Sequence, residues 1–378
     1  MKVEPVRTQA FMDVSIGGKP AGRIVVELFE DMAPLAALNF INLCTNTDGY
    51  TYKHNYFHRV IKNFMIQAGD VVNCVDGKPY TDDSVGTSNI STVNGEKLFP
   101  LENQQEPLDA SFKLCTANAN AAANGSQFFI TTHPQSHLNG KHTVFGRVVH
   151  GKWAVRQIEQ VNTNPNNCPT ENEKVVIEDC GIWEESMSVP VFNSCADTTG
   201  GDIYEEYPDD DEQIDKESSE SVFNASTIIK ESGTLLLKQG RKQDALFKYH
   251  KCLRYVMEYI PDDEQEPQWY EKYYDLRKKL YLNMALVYLQ VGEPTRAIDF
   301  ASYLLDLKAS TAERAKAHYR RGLAYVAKNQ FSEAVNDFTE ASKYVPNDEA
   351  IKRELKRAED SIEKKKRTEK ARYAKFYQ

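Results

Sequence analysis

The chain has 378 residues, 41% of them hydrophobic and 27% charged, with 19 Gly and 15 Pro, a globular composition that excludes a collagenous, mostly disordered or all-coiled-coil protein. No apolar run approaches the ~20 residues of a membrane-spanning helix, the first ten residues lack the apolar centre of a signal peptide, and the seven cysteines are scattered without a CxxC pair. That pattern points to a reducing, cytoplasmic setting with no disulfide framework, no metal and no cofactor. The net charge of −9 is polarised: residues 1–201 carry 15 Lys and Arg against 22 Asp and Glu, residues 202–220 one against ten, and residues 221–378 thirty against 23. An acidic chain of this kind suits neither nucleic acid nor a membrane surface, while its basic C-terminal part suits an acidic peptide.

Residues from about 10 to 183 read as strand-rich. Met12, Val14 and Ile16 alternate with polar neighbours, Gly17-Gly18 marks a turn, and Ile24, Val26 and Leu28 share one face, which predicts a hairpin. Pro34 opens a helix with Leu35, Leu38, Ile41 and Leu43 expected on its apolar side. Further short strands are predicted at 127–132, 143–149 and 175–177, and many short strands in ~170 residues suggest a closed β-barrel.

The composition then changes. Residues 185–221, and 200–220 in particular, are acidic, poor in apolar residues and broken by Pro208. They read as a linker, because like charges repel and cannot bury a core; docking onto a basic surface is the other reading. From 222 onward the helical period dominates and a 34-residue repeat emerges. With Gly322 at position 8, Tyr325, Ala334, Phe338, Ala341 and Pro346 fall at positions 11, 20, 24, 27 and 32, the tetratricopeptide (TPR) pattern of small residues facing aromatics. Gly233 with Ala245 and Tyr249, and Ala285 with Tyr288 and Ala297, extend it to three repeats near 226–259, 278–311 and 315–348. Pro261 and Pro267 mark a break, and the basic segment 349–378 is expected to be a helix capping the last repeat. The domains expected are thus 1–184, a linker 185–221, an all-α TPR superhelix 222–348, and the capping helix.

Three clusters carry candidate chemistry. The first, Phe57-His58-Arg59-Val60-Ile61 followed by Asn63 to Asp70, reads alone as a barrel strand with one surface arginine. The second is Ala117-Asn118-Ala119 with Asn124-Gly125-Ser126-Gln127-Phe128-Phe129-Ile130, and the third is Leu138-Asn139-Gly140-Lys141-His142-Thr143-Val144-Phe145-Gly146. His58 and His142 have no carboxylate or thiolate at metal-ligand spacing. In order and spacing the three clusters resemble the signatures of the cyclophilins, a family of peptidyl-prolyl isomerases, over residues 8–183. Followed by an acidic segment and TPRs, the whole chain resembles cyclophilins of the cyclophilin-40 type, the fungal members above all.

The resemblance implies a catalytic Arg59 aided by Phe64, Gln67 and His142, and a substrate groove lined by Met65, Ala117, Asn118, Gln127, Phe129, Leu138 and His137. It also implies TPRs that hold the acidic C-terminal peptide of heat shock protein 90, with heat shock protein 70 as a further partner and proline-containing client proteins as substrates. The clamp positions are Lys230, Thr234, Asn283, Lys316 and Arg320; Thr234 stands where the family has Asn. Two more departures stand out. Ala68 replaces a glycine, and the family's Gly-rich loop survives only as Ser84-Val85-Gly86-Thr87-Ser88, so that isomerase activity is expected to be present but low. His137, at a position that is Trp in drug-sensitive members, implies weak cyclosporin binding. The implied function is a cytoplasmic co-chaperone with isomerase activity; the alternative is an adaptor whose barrel only binds peptide and regulates the chaperone.

Overall fold

The computed structural model describes residues 7–75, 78, 83–118, 123–184, 186–187, 190 and 194–374. It divides into two compact units, Met1–Ala196 and Asp197–Gln378.

In the first unit β1 (Gln9–Ile16) and β2 (Lys19–Leu28) form the expected hairpin. Gly17 and Gly18 turn it at φ of 57° and 73°, the left-handed region that two-residue hairpin loops require. The remaining strands are β3 (Arg59–Ile61), β4 (Met65–Ala68), β5 (Phe99–Pro100), β6 (Lys113–Thr116), β7 (Ala123–Asn124), β8 (Phe128–Thr131), β9 (Val144–His150) and β10 (Val175–Trp183). Eight of them make one curled sheet in the order β10-β1-β2-β9-β6-β8-β4-β3, with β5 and β7 as a separate pair. The expected closed barrel takes a looser form. No ladder joins β3 to β10; residues His54 to Phe57, just ahead of β3, reach β10 through the Tyr56–Val176 bridge and bonds such as Phe57 N to Val175 O at 3.0 Å.

Helix α1 (Pro34–Thr45) starts with Pro34 in its first turn and ends at Asn46 with φ 56°. Its inner face differs from the expected one. Ala36, Ala37, Phe40, Leu43 and Cys44 are buried, while Leu38 is 44% exposed. Phe40 decides the rotation by packing its ring among Tyr52, Phe128 and Phe145. Helix α2 (Lys152–Glu159) buries Trp153, Val155 and Ile158.

The second unit contains α3 (Ser219–Lys238), α4 (Lys242–Glu258), α5 (Pro267–Gln290), α6 (Pro294–Leu305), α7 (Thr311–Ala327), α8 (Phe331–Tyr344) and α9 (Glu349–Ala374). The small-against-aromatic rule is explicit here. A Cβ on Gly322 would come within 2.6 Å of the Phe338 ring, and one on Gly233 within 2.9 Å of the Tyr249 ring, so a larger residue would push either helix pair apart. A capping box at Ser310 and Glu313 starts α7. Pro267 opens α5, which makes 267–277 an N-terminal extension of that helix. Helix α9 packs Ile351 and Ala358 against Ala334, Phe338 and Ala341. None of the described helices is long and apolar enough to cross a membrane.

The acidic stretch read as a solvated linker behaves differently from Asp197 onward, where it belongs to the helical unit. Asp202 is buried and bonds the Lys248 ammonium at 2.5 Å and the Lys251 ammonium at 2.8 Å, both lysine side chains being fully buried. Arg254 pairs with Glu206, the Tyr255 hydroxyl donates to Asp211 at 2.7 Å, and Ile214 joins the helical core. Repulsion within the segment is offset by the cations that α4 presents at 248, 251 and 254. Removing one partner of a buried ion cluster costs about 3–5 kcal/mol. Asp202→Ala is therefore expected to destabilise the helical unit by that amount, seen as a lower urea midpoint at unchanged m by far-UV circular dichroism of the full chain. An unchanged midpoint would show that these charges do not hold the segment.

Candidate functional sites

Pairing register builds the first site. Arg59 lies opposite Gln67, Gln67 opposite Phe129, and Phe129 opposite Cys115. Directly opposed residues point to the same face, so an arginine, a glutamine and a phenylalanine stand in one row across β3, β4 and β8. The row opens into a cavity of about 410 Å³. Its floor is apolar: Met65 and Phe129 are buried in one cluster with Cys115 and Val144, and Phe64, Ala117 and Leu138 pack on it. Arg59 lines the same cavity from an exposed strand position.

Of the eleven groove residues expected in this unit, ten line the cavity: Arg59, Phe64, Met65, Gln67, Ala117, Asn118, Gln127, Phe129, Leu138 and His142. His137 does not. It sits exposed on the turn Ser136–Leu138, its ring 5.9 Å from that of Phe64. Five lining residues were not anticipated: Gly86, Thr87, Asn89, Leu98 and Ala123. Three of them, Gly86, Thr87 and Asn89, belong to the wall whose glycine signature is degraded. The available signal was Asp70, at the end of the first cluster, whose carboxylate accepts from Asn73 N at 2.8 Å and Ser88 N at 3.1 Å and so folds that wall back over β4.

Two histidines flank the floor. His142 stands edge-on to Phe129, and its Nδ1 lies 3.1 Å from the Thr116 carbonyl. That partner fixes the proton on Nδ1 and leaves Nε2 as an acceptor, and burial lowers the pKa, so the ring is neutral at neutral pH. His58 is buried beneath Gly86, where an added Cβ would lie 2.9 Å from the imidazole Cδ2. Neither of its ring nitrogens has a hydrogen-bond partner among the described residues. Burial pushes its pKa down to about 4. No group of histidine, cysteine and acidic side chains suited to a metal occurs among the described residues.

The expected clamp residues lie on helices α3, α5 and α7. Helices α3, α5 and α7 neighbour one another in turn. Arg320 on α7 donates from Nη1 to the Leu282 carbonyl of α5 at 2.5 Å, which sets it beside the helix that carries Asn283. Lys316, one turn earlier on α7, is exposed. On α3, Lys230 pairs with Glu231, and the Thr234 hydroxyl donates to the Lys230 carbonyl at 3.1 Å.

An exposed guanidinium at a cavity with an apolar floor, carried on a curled eight-stranded sheet, is the arrangement of a cyclophilin. The family model described as cyclophilin type peptidyl-prolyl cis-trans isomerase matches residues 11–182, and a tetratricopeptide repeat model matches 315–348. The chain belongs to the cyclophilin-type peptidyl-prolyl cis-trans isomerases. It is 39% identical to peptidyl-prolyl cis-trans isomerase CYP7 of Saccharomyces cerevisiae, over 97% of this chain and 98% of that one. It is 40% identical to peptidyl-prolyl cis-trans isomerase D of Kluyveromyces lactis, over 95% of each chain. A third relative, the isomerase D of Eremothecium gossypii, is 37% identical over 98% of this chain and 99% of that one.

The His58 environment predicts a pH dependence. An unfolded histidine titrates near 6.5, whereas folded His58 titrates at about 4. Between those values the unfolded chain binds a proton that the folded one does not, so His58 makes stability fall as pH drops through that window. His58→Phe is expected to flatten the fall, measured as the pH dependence of the urea midpoint of the first unit. An equal slope in parent and variant would remove His58 from the account.

Proposed function

We propose that the protein is a cytoplasmic co-chaperone in which the barrel isomerises X-Pro bonds of client proteins and the helical unit holds the acidic C-terminal peptide of heat shock protein 90. Heat shock protein 70, whose tail offers the same chemistry, is the second candidate partner.

Isomerisation has to overcome the ~18–20 kcal/mol barrier that amide conjugation imposes. It needs no nucleophile and no proton relay. Phe64, Met65, Phe129 and Leu138 take up the proline ring in the apolar floor. Gln67, Ala117, Asn118 and Gln127 bind the backbone on either side, and neutral His142 contributes an acceptor at the rim. Arg59 donates to the prolyl nitrogen as it becomes pyramidal. That nitrogen is a good acceptor only when conjugation is lost, so the bond forms in the transition state and not in the planar ground state. A permanently charged guanidinium over low-dielectric surroundings makes such a bond strong.

Arg320 is the observation that carries the tether. Its guanidinium is partly buried against a backbone carbonyl, its pKa is lowered by that burial, and no carboxylate among the described residues pairs with it. A desolvated cation of this kind is completed by an anionic ligand. Lys316, four residues away on the same face, adds a second cation for a terminal carboxylate and an aspartate side chain. Lys230 and Asn283 extend the groove over the neighbouring helices. Thr234 is bonded to its own helix and offers less to a ligand than an amide would. Holding the chaperone tail raises the effective concentration of the isomerase at the client.

Two measurements test the two halves. Exchange between cis and trans forms of an X-Pro peptide, followed by NMR, is expected to accelerate with the protein and to lose at least ~100-fold of kcat/KM in Arg59→Ala, the scale of removing one preorganised donor. Acceleration that persists in Arg59→Ala would remove Arg59 from the chemistry. In a titration with a peptide ending in Glu-Glu-Val-Asp, Lys316→Ala/Arg320→Ala is expected to weaken binding at least ~10-fold. Equal binding by parent and variant would place the peptide elsewhere.

A further inference from the structure

The wall that lacks its glycines has an unusual attachment. Strands β6 and β8 pair antiparallel through Leu114–Ile130, Cys115–Phe129 and Thr116–Phe128. The next pair in that register is Ala117 with Gln127, and the Ala117 N–H does donate to the Gln127 carbonyl at 2.8 Å. In a hydrogen-bonded antiparallel pair the two residues exchange both bonds. Here the return bond is missing, and the side chain of Asn89 occupies its place. Gln127 N donates to Asn89 Oδ1 at 2.9 Å, and Asn89 Nδ2 donates to the Ala117 carbonyl at 3.3 Å. The carboxamide is spliced into the ladder as an additional peptide-like unit.

The lock is reciprocal. Gln127 Nε2 donates back to the carbonyls of Gly86 at 2.9 Å and Ser88 at 2.8 Å, while its Oε1 accepts from Gln67 Nε2 at 2.9 Å. The fit is close as well, since a Cβ on Gly125 would lie 2.4 Å from Asn89 Oδ1. Most of the residues involved border the cavity: Gln67, Gly86, Asn89, Ala117 and Gln127 line it, and Ser88 lies between two residues that do.

We propose that Asn89 is a positioning residue of the isomerase. By holding β6 and β8 apart at their open end, it sets the place from which Ala117 and Asn118 leave the sheet and fixes the 86–89 wall opposite them. The groove rim that receives the peptide backbone is thereby built before substrate arrives. This rests on the cavity being the isomerase groove. The rim holds the flanking peptide in ground state and transition state alike, so its loss removes uniform binding and acts on KM, whereas Arg59 acts on kcat.

Asn89→Ala in the full-length protein is expected to raise KM for an X-Pro peptide about tenfold (~1.4 kcal/mol) with kcat within about twofold of the parent. It is also expected to raise the hydrogen-exchange rate of the Gln127 amide, which loses its acceptor. A merely structural role gives another result, because partial unfolding lowers the active fraction and hence apparent kcat while leaving KM alone. Asn89→Asp keeps the acceptor for Gln127 N but at neutral pH sets an oxygen against the Ala117 carbonyl; its KM is expected to rise at least as far. A parental KM in either variant overturns the proposal. Arg59→Ala, measured alongside, reports separately through kcat on whether the cavity is the catalytic groove.

Discussion

Side chains on a strand alternate between faces, and the site in the first unit depends on that constraint. Arg59, Gln67, Phe129 and Cys115 come from four strands scattered between positions 59 and 129 of the sequence, yet ladder register places them in one row. A slip of one residue in β4 would turn Gln67 and Met65 away and bring Ile66 and Ala68 to the groove. The register is held by the core behind it, where Phe128, Ile130 and Ile66 are buried on the opposite face of the same strands. Chemistry on one side of the sheet is therefore specified by apolar packing on the other, and the charged group needs no partner of its own to be correctly aimed.

The helical unit meets a different constraint, the distance between paired helices. Gly233 against Tyr249 and Gly322 against Phe338 set it through close contact of a small residue with a ring. His318, Arg321 and Asp337 add a polar lock between α7 and α8, with Asp337 bonded to both partners at 2.8 Å and its pKa lowered by them despite burial. Arg321 and His318 are both held by Asp337, whereas Arg320 points to the neighbouring helix α5 and bonds the Leu282 carbonyl. Adjacent arginines thus have separate partners, a carboxylate within the helix pair and a backbone carbonyl on the neighbouring helix.

Much of this was legible in the sequence for a physical reason: the informative residues act through local pattern. Strand alternation, the Gly17-Gly18 turn, Pro34 and the 34-residue spacing all express short-range geometry, and the family signatures around Arg59, Gln127 and His142 brought the cavity with them. What escaped depends on partners remote in sequence. Leu38 looked inward-facing until Phe40 chose three aromatic neighbours from elsewhere in the chain. Asp202 looked solvated because Lys248 and Lys251, which neutralise it, come about fifty residues later. Asn89 had no signature because its partners are main-chain groups, whose positions no side-chain pattern records.

The wall at 84–95 shows how a groove can be rigid without the glycines that usually shape it. A glycine-rich loop reaches tight turns easily but loses the most conformational entropy when ordered. In this chain only Gly86 and Gly95 keep positive φ there besides Asn94, and Gly86 is confined by the His58 ring beneath it. The other positions are tied down by directed bonds instead: Ser88 N to Asp70, Asn89 to Ala117 and Gln127, Ile90 N to Ser126 Oγ, and Thr92 N to Asn39 Oδ1 at 2.8 Å. The anchors lie just past the ends of β4 and β6, just ahead of β8, and on α1, so the wall cannot move as a body without breaking bonds to several segments at once. Ordering such a wall takes less from the unfolded chain than ordering glycines does, and a wall already ordered removes that term from peptide binding. The degraded signature is thus a change in how the wall is held, with the groove it borders kept open.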